Sequence, residues 1–298
     1  MAGHGARAMT VLSALFAEFI GLALIVLAIL IPPALITVWS GWRAGLGWRG
    51  FAQPWRDWRS LWQQPRLEPD FASPLARLWP AIALAATIMA GVLVPSFARN
   101  IWTGVPGLAL WIIGLLALAR MARLLATLDA GQGARGLAAA LAARSFWMVQ
   151  TILLIGTLAA ASAVGSASLG VGLPLGGAGL NRLVLLLALA AAIVGLANDQ
   201  TAPGTASEGD LAGPDLAMLR LEAQLRPVII LLLVFALFAP LWLATANQLS
   251  SWPLGLLGFW LRWGLGMIAM AVAPRGAWRV GLIAMLLIGL AVVMVLPR

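Results

Sequence analysis

The apolar runs of this 298-residue chain constrain its fold more than any other feature. A helix needs about 20 apolar residues to cross a bilayer. Eight runs approach or exceed that length, at residues 11–38, 78–98, 105–126, 146–169, 180–197, 227–246, 253–273 and 277–296. Only 10% of the residues are charged, against roughly 25% in globular domains. The sequence therefore predicts an all-α polytopic membrane protein with eight transmembrane helices in a single membrane domain, residues 1–298.

Arginine placement predicts the orientation of these helices. All nineteen basic residues are arginines, and fourteen lie in or beside the loops after the first, third, fifth and seventh runs. The opposite side holds only Arg7, Arg99, Arg182 and Arg298. Under the positive-inside rule the basic loops are cytoplasmic, which predicts a multi-pass protein of a bacterial inner membrane with both termini periplasmic. Because these arginines lie between apolar runs, the high pI does not indicate nucleic-acid binding.

A polar segment rich in Arg and Trp, residues 47–69, separates the first two runs. Pro54 suits the first turn of a helix, so we expect a short helix at 54–63. One face carries the aromatic residues Trp48, Phe51, Trp55, Trp58 and Trp62, and the other carries Arg56, Asp57, Arg59 and Gln63. One aromatic face and one charged face are typical of a helix that lies in the membrane interface.

The order of residues in this segment adds a resemblance. The pattern Gly50-x-x-Gln53-Pro54-x-x-Asp57-x-x-x-Leu61 is followed by Glu68-Pro69-Asp70 and then by Arg77. It resembles the first cytoplasmic loop of an eight-helix membrane subunit. That subunit joins the hydrophilic arm to the membrane arm in respiratory complex I (subunit 1 or H type), in formate hydrogenlyases (subunit 4 type) and in energy-converting NiFe hydrogenases. The formate hydrogenlyase branch is the most similar.

The second cytoplasmic loop has two interpretations. Arg120 and Arg123 precede Asp129 and Gly131, which resembles the family's Arg-bearing helix end and Leu-Asp-Thr-Gly turn, with Ala130 in place of Thr. Alternatively, the two arginines lie near the free carbonyls of a helix C-terminus, and Asp129 with Gly131 forms a turn.

The third cytoplasmic loop, residues 198–226, carries acids that the resemblance would place on the coupling path. Asn198 stands where the family has a Glu, with Asp199 beside it. Glu222 and Arg226 form an i, i+4 pair in the favourable order, which otherwise indicates only a solvated helix start.

The resemblance implies a set of docking and coupling residues on the cytoplasmic side. They are Gln53, Pro54, Arg56, Asp57, Arg59, Asp70, Arg120, Arg123, Asp129, Asp199 and Glu222. In the family the first loop and first helix build the mouth of a quinone cavity, which Trp55, Trp58 and Trp62 would line or block. Because no cytoplasmic loop offers a His or Tyr to a headgroup, we expect a closed or lipid-filled vestige.

Two ionisable residues fall within apolar runs. Glu18 is either a functional or interhelical group or a residue exposed to water near the outer third of its helix. Arg262 pairs with Glu18 or with backbone groups, or snorkels between Trp260 and Trp263. Isolated acids do not make a proton path, so we expect this chain to anchor more than it pumps.

The chain contains no Cys and a single His, which indicates that it holds no cofactor or metal of its own. Iron-sulfur clusters, and a NiFe or other redox centre, are expected in partner subunits. The expected partners are hydrophilic redox subunits on the cytoplasmic side, antiporter-like membrane subunits and lipid. The predicted function is that of a non-redox membrane subunit anchoring the redox arm of an oxidoreductase complex. The alternative is a free-standing transporter.

Overall fold

The computed structural model describes residues 2–43, 51–66, 73–99, 101–129, 133–164, 193, 212–238, 243–246 and 248–272. Seven helices have both ends in these ranges: α1 Ala2–Arg43, α2 Gln53–Gln63, α3 Leu78–Leu93, α4 Leu108–Leu128, α5 Gly133–Val164, α6 Pro214–Phe238 and α7 Trp252–Val272. Two short strands, β1 Ala98–Arg99 and β2 Ala244–Thr245, and a 3₁₀ turn at Leu249–Ser251 complete the described elements.

Three stretches of the described chain are helical, long and apolar enough to cross a membrane: Leu12–Pro32, Leu108–Leu128 and Leu249–Met270. Leu78–Leu93 and Val149–Leu158 are shorter apolar helical stretches. The runs at 180–197 and 277–296, predicted as helices, lie outside the described residues except for position 193. The protein is thus helical with membrane-spanning stretches, and the count of eight stays a prediction.

Helix α2 begins at Gln53, within one residue of the predicted start, and Pro54 occupies its first turn. Other ends differ from the apolar runs. Helix α3 ends at Leu93 instead of 98, because Pro95 favours an extended conformation at the preceding residue, and Val94 has φ −77° and ψ 126°. Helices α5 and α6 begin at 133 and 214 instead of 146 and 227, since residues 133–145 and 214–226 are rich in Ala and Leu, which favour helix.

The run at 227–246 was predicted to be helical throughout, and this is wrong at its end. Helix α6 ends at Phe238, and β2 pairs in parallel with β1, with Ala98 opposite Ala244. The Ala244 N–H also donates to the Phe97 carbonyl at 2.9 Å. Ala98 and Ala244 are buried, which fits the requirement that non-helical backbone in a membrane protein find its hydrogen bonds inside the protein.

Helix α6 lies at the centre of the described helices and packs against α1, α2, α3, α4, α5 and α7. Residues 228–236 are all buried, as expected for a helix that is hydrophobic on every side. The N-terminal half of α6 carries Asp215, Glu222 and Arg226. The central helix therefore brings charged side chains to the place where the loops before α3, after α4 and before α6 meet.

Candidate docking and coupling site

Helix α2 presents its charged face outward. Gln53 Nε2 donates to Asp57 Oδ1 at 2.8 Å, and Ser60 Oγ donates to the Asp57 carbonyl at 2.7 Å. Arg56 and Arg59 are exposed, and neither forms an ion pair with any residue that the structure describes. Both guanidinium groups are therefore available to a partner.

The aromatic residues of α2 form a ladder of ring contacts. The centroids of Trp55 and Trp58 are 5.2 Å apart, and those of Trp58 and Trp62 are 5.7 Å apart. The predicted aromatic stripe is thus present over these three residues, whereas Trp48 lies outside the described ranges. The most deeply buried residue of α2 is Leu61, which clusters with Leu216 and Ala217 of α6. Sequence reasoning singled out the tryptophans and missed Leu61 as the anchor.

The segment directly after α2 contacts the start of α6. Arg66 Nη2 lies 2.9 Å from Asp215 Oδ1. Gly213 has a φ of +67°, and a Cβ there would lie 2.8 Å from the Gln64 carbonyl oxygen and 2.9 Å from that of Pro65. Glycine is the residue that tolerates both the positive φ and the close approach. The segment after α2 therefore lies directly on the segment before α6.

Asp129 connects the first loop to the second. Its Oδ1 accepts from the Ser73 N–H at 3.0 Å and its Oδ2 from Ser73 Oγ at 2.6 Å. Both acceptor atoms are thus used by one residue just before α3. The interpretation of Asp129 as part of a local turn did not include this bond. Ser73 is 56 positions away, and no motif in the sequence pointed to it as a partner.

A buried ion-pair cluster joins α4 to α6. Arg123 Nη1 lies 2.5 Å from Glu222 Oε2 and also donates to the Leu219 carbonyl at 3.1 Å. Arg226 Nε lies 3.8 Å from Glu222 Oε1. Glu222 is 0% exposed, and Arg120, one turn before Arg123, is also buried, with 5% exposure. The interpretation of Glu222 and Arg226 as a solvated helix start is therefore wrong, and Arg123 bonds to residues of α6.

Arg262 donates hydrogen bonds to backbone carbonyls, which is one of the three arrangements predicted for it. Its Nε donates to the Gly258 carbonyl at 3.0 Å and its Nη2 to the Ser96 carbonyl at 2.9 Å, and the residue is 3% exposed. Glu18 is partly exposed and makes no ion pair with any part of the chain that the structure describes. Arg262 thus ties α7 to the segment after α3, and Glu18 does not take part.

A cavity of about 610 Å³ lies between α1, α2, α3 and α6. Trp55 and Trp58 are among its lining residues and Trp62 is not. Its α1 wall consists of Leu22, Ile25, Val26, Ile29 and Leu30, and its polar residues are Asp57, Arg220 and Gln224. The tryptophans therefore line this space without closing it.

The two remaining site residues fall outside the described ranges. Asp70 and Asp199 lie in parts of the chain that are not described. In the described part, no group of three or more His, Asp or Glu side chains is placed to hold a metal ion.

Fold and site together define a helical membrane protein whose first three basic loops meet on one face. No protein-family model matches the sequence, and no curated protein matches it either. Among solved structures, the chain is similar to a chain in the structure of the membrane-bound sulfane sulfur reductase (MBS), an archaeal respiratory membrane complex. The two are 18% identical with a TM-score of 0.65, and the match covers 98% of this chain and 99% of that one. At this identity the likeness shows a shared fold.

Proposed function

We propose that this chain is a membrane subunit of a respiratory oxidoreductase complex of the hydrogenase or complex I type, and that it anchors the hydrophilic redox subunits. The observation that carries the proposal is the joining of three loops into one platform. The joints are Arg66–Asp215, Ser73–Asp129 and Arg123–Glu222. The fold shared with a chain of a respiratory membrane complex supports the same assignment.

A platform of this kind suits docking for two physical reasons. Association is penalised for every segment that has to be ordered, and the described parts of these loops are already held by bonds within the subunit. The guanidinium groups of Arg56 and Arg59 are exposed and make no ion pair with the described residues, so they can meet acidic groups of a partner. Complementary charge at such an interface mainly sets orientation and association rate.

The finer assignments follow the resemblance of the first loop. We propose the formate hydrogenlyase branch, with iron-sulfur clusters and a NiFe or other redox centre in the hydrophilic partners and antiporter-like subunits beside this chain in a bacterial inner membrane. The buried Arg123–Glu222–Arg226 cluster would then hold the docking loops in register with the membrane helices. Its role in this proposal is to transmit the position of the docked arm.

The test is co-purification of the complex in mild detergent after reversing the charge of Arg56 and Arg59 together to Glu. We expect the hydrophilic subunits to be lost while the membrane part stays inserted. The matched control is Arg99→Glu, because Arg99 is exposed on β1 at the other end of the helices. Unchanged assembly of the double variant would contradict docking at α2, and a wild-type protein that purifies alone or as a homo-oligomer would favour the transporter.

A further inference from the structure

The cavity between α1, α2, α3 and α6 opens sideways. Three of its apolar lining residues, Val26 and Leu30 of α1 and Ile88 of α3, are also among the exposed large hydrophobic side chains, at 52%, 37% and 44%. Such side chains face hydrocarbon in a membrane-spanning region. The cavity is therefore accessible to a molecule that enters from the bilayer.

The depth of the cavity corresponds to one leaflet. Its α1 wall runs from Leu22 to Leu30, which is about 12 Å at the helical rise of 1.5 Å per residue. Half of a hydrocarbon core about 30 Å thick is similar in length. Because Leu30 lies near the end of the Leu12–Pro32 span, the apolar part extends from the end of that span next to α2 to about its middle.

The polar residues of the cavity carry both signs of charge. Arg220 and Gln224 of α6 are exposed at its edge. On the α2 side, Asp57 accepts one bond, from Gln53, at its Oδ1 atom. The edge therefore offers donors to an anion on one side and a carboxylate to a cation on the other.

We propose that this cavity binds one phospholipid whose headgroup carries both a phosphate and a primary ammonium, as phosphatidylethanolamine does. The phosphate accepts from Arg220 and Gln224, and the ammonium donates to Asp57. One acyl chain lies along Leu22, Ile25 and Ile29. This headgroup uses every polar residue that lines the cavity, whereas a purely anionic headgroup meets the Asp57 carboxylate and a neutral one leaves both charges unused.

The proposal goes beyond the proposed function and does not rest on it. To test it, the full chain with whatever subunits co-purify is equilibrated with nanodiscs of equal phosphatidylethanolamine and phosphatidylglycerol content. Lipids retained after mild detergent extraction are then counted by native mass spectrometry. We expect one retained phosphatidylethanolamine in the wild type and in the control Arg99→Gln.

Two variants separate the headgroup contacts. Arg220→Gln should lower retention of both lipids about tenfold, since a charge-assisted contact to phosphate is lost. Asp57→Asn should retain lipid but lose its preference for phosphatidylethanolamine. Both residues are exposed, so neither change threatens folding.

A third variant tests the tail. Ile88→Trp places a large ring at the lateral opening and should reduce retention of both lipids. Equal retention of the two lipids by the wild type, retention of a neutral isoprenoid quinone instead, or an Arg220→Gln variant that behaves like Arg99→Gln would each overturn the proposal.

Discussion

At the scale of single residues, the buried charges of α6 decide how the site is held. Glu222 has no exposed surface and lies between Arg123 and Arg226. A buried ion pair of this kind contributes little net stability, yet removing one of its charges is strongly destabilising. The cluster therefore specifies which turn of α4 faces which turn of α6.

Glu222→Gln should destabilise the protein by about 3–5 kcal/mol, because it removes the negative charge from a buried ion-pair cluster with Arg123 and Arg226. The matched change at an exposed carboxylate, Asp57→Asn, should cost less than about 1 kcal/mol. Tryptophan fluorescence during unfolding in detergent measures both variants. Equal loss of stability in the two would show that burial of Glu222 is not what matters.

The bond between Ser73 and Asp129 gives a second prediction at this scale. Ser73→Ala removes a 2.6 Å hydrogen bond to a carboxylate, and bonds to charged groups contribute about 1.5–3 kcal/mol. Amide exchange at residues 73–78 should become faster. Ser60→Ala is the control, since the Ser60 hydroxyl donates only to the Asp57 carbonyl three residues earlier in its own helix. Unchanged exchange in Ser73→Ala would show that this bond does not order the start of α3.

At the scale of elements, α2 is held in place by what touches its C-terminal end. Trp58 and Leu61 pack against α6, and the residues after α2 lie on Gly213. Two described glycines have a positive φ, Gly107 at 74° and Gly213 at 67°, and only Gly213 has backbone atoms in the way of a Cβ. Substituting each of these glycines by Ala therefore distinguishes the effect of backbone strain, present at both, from the effect of a steric clash, present only at Gly213.

Gly213→Ala should release α2, because the added Cβ would meet two carbonyl oxygens of residues 64 and 65 at under 3 Å. Hydrogen exchange across residues 53–63 should rise. Gly107→Ala carries the strain of a positive φ, about 1–2 kcal/mol, with open space around its Cβ, and should leave exchange in α2 unchanged. If both variants loosen α2 equally, the close approach to residues 64–65 is not the cause.

At the scale of the whole molecule, the described loops fall into two groups at opposite ends of the helices. Residues 64–66, 73, 129 and 213–215 meet at one end, and β1 pairs with β2 at the other. This arrangement agrees with alternation of the loops between two sides. The positive-inside rule predicts that the first end is cytoplasmic.

A reporter fused after Arg298 should therefore be active only if it functions in the periplasm. A second fusion within the loop at 67–72 should be active only if it functions in the cytoplasm. An active cytoplasmic reporter at Arg298 would mean that the number of membrane crossings is odd, and the predicted count of eight would be wrong by one.

Glu18 supplies a prediction about ion movement through the assembly. It has no ion-pair partner among the described residues, and a proton route across about 30 Å needs a chain of protonatable groups or waters. Glu18→Gln in the complex reconstituted into vesicles should leave electron transfer and any proton gradient near their normal levels. Loss of the gradient with electron transfer intact would reveal a working route through α1.

Several features could be predicted from the sequence because they depend on neighbouring residues. The start of α2 follows from Pro54 and its aromatic spacing, and the apolar runs locate the cores of α1, α4 and α7. The likeness in fold to a chain of a respiratory membrane complex agrees in general terms with the family that the first loop resembles. Periodicity and turn chemistry are local, and they act before any helix meets another.

The partners of the charged residues were decided only by the tertiary structure. Arg123 and Glu222 are 99 positions apart, and Ser73 and Asp129 are 56 positions apart, so no spacing in the sequence links them. The pairing of β1 with β2 likewise requires that α3 and α6 both end before their apolar runs do, so that Ala98 and Ala244 can lie opposite each other. Whether a charge at a helix end is solvated or buried depends on which segment packs over it, and for Glu222 the packing of α4 on α6 determined that it is buried.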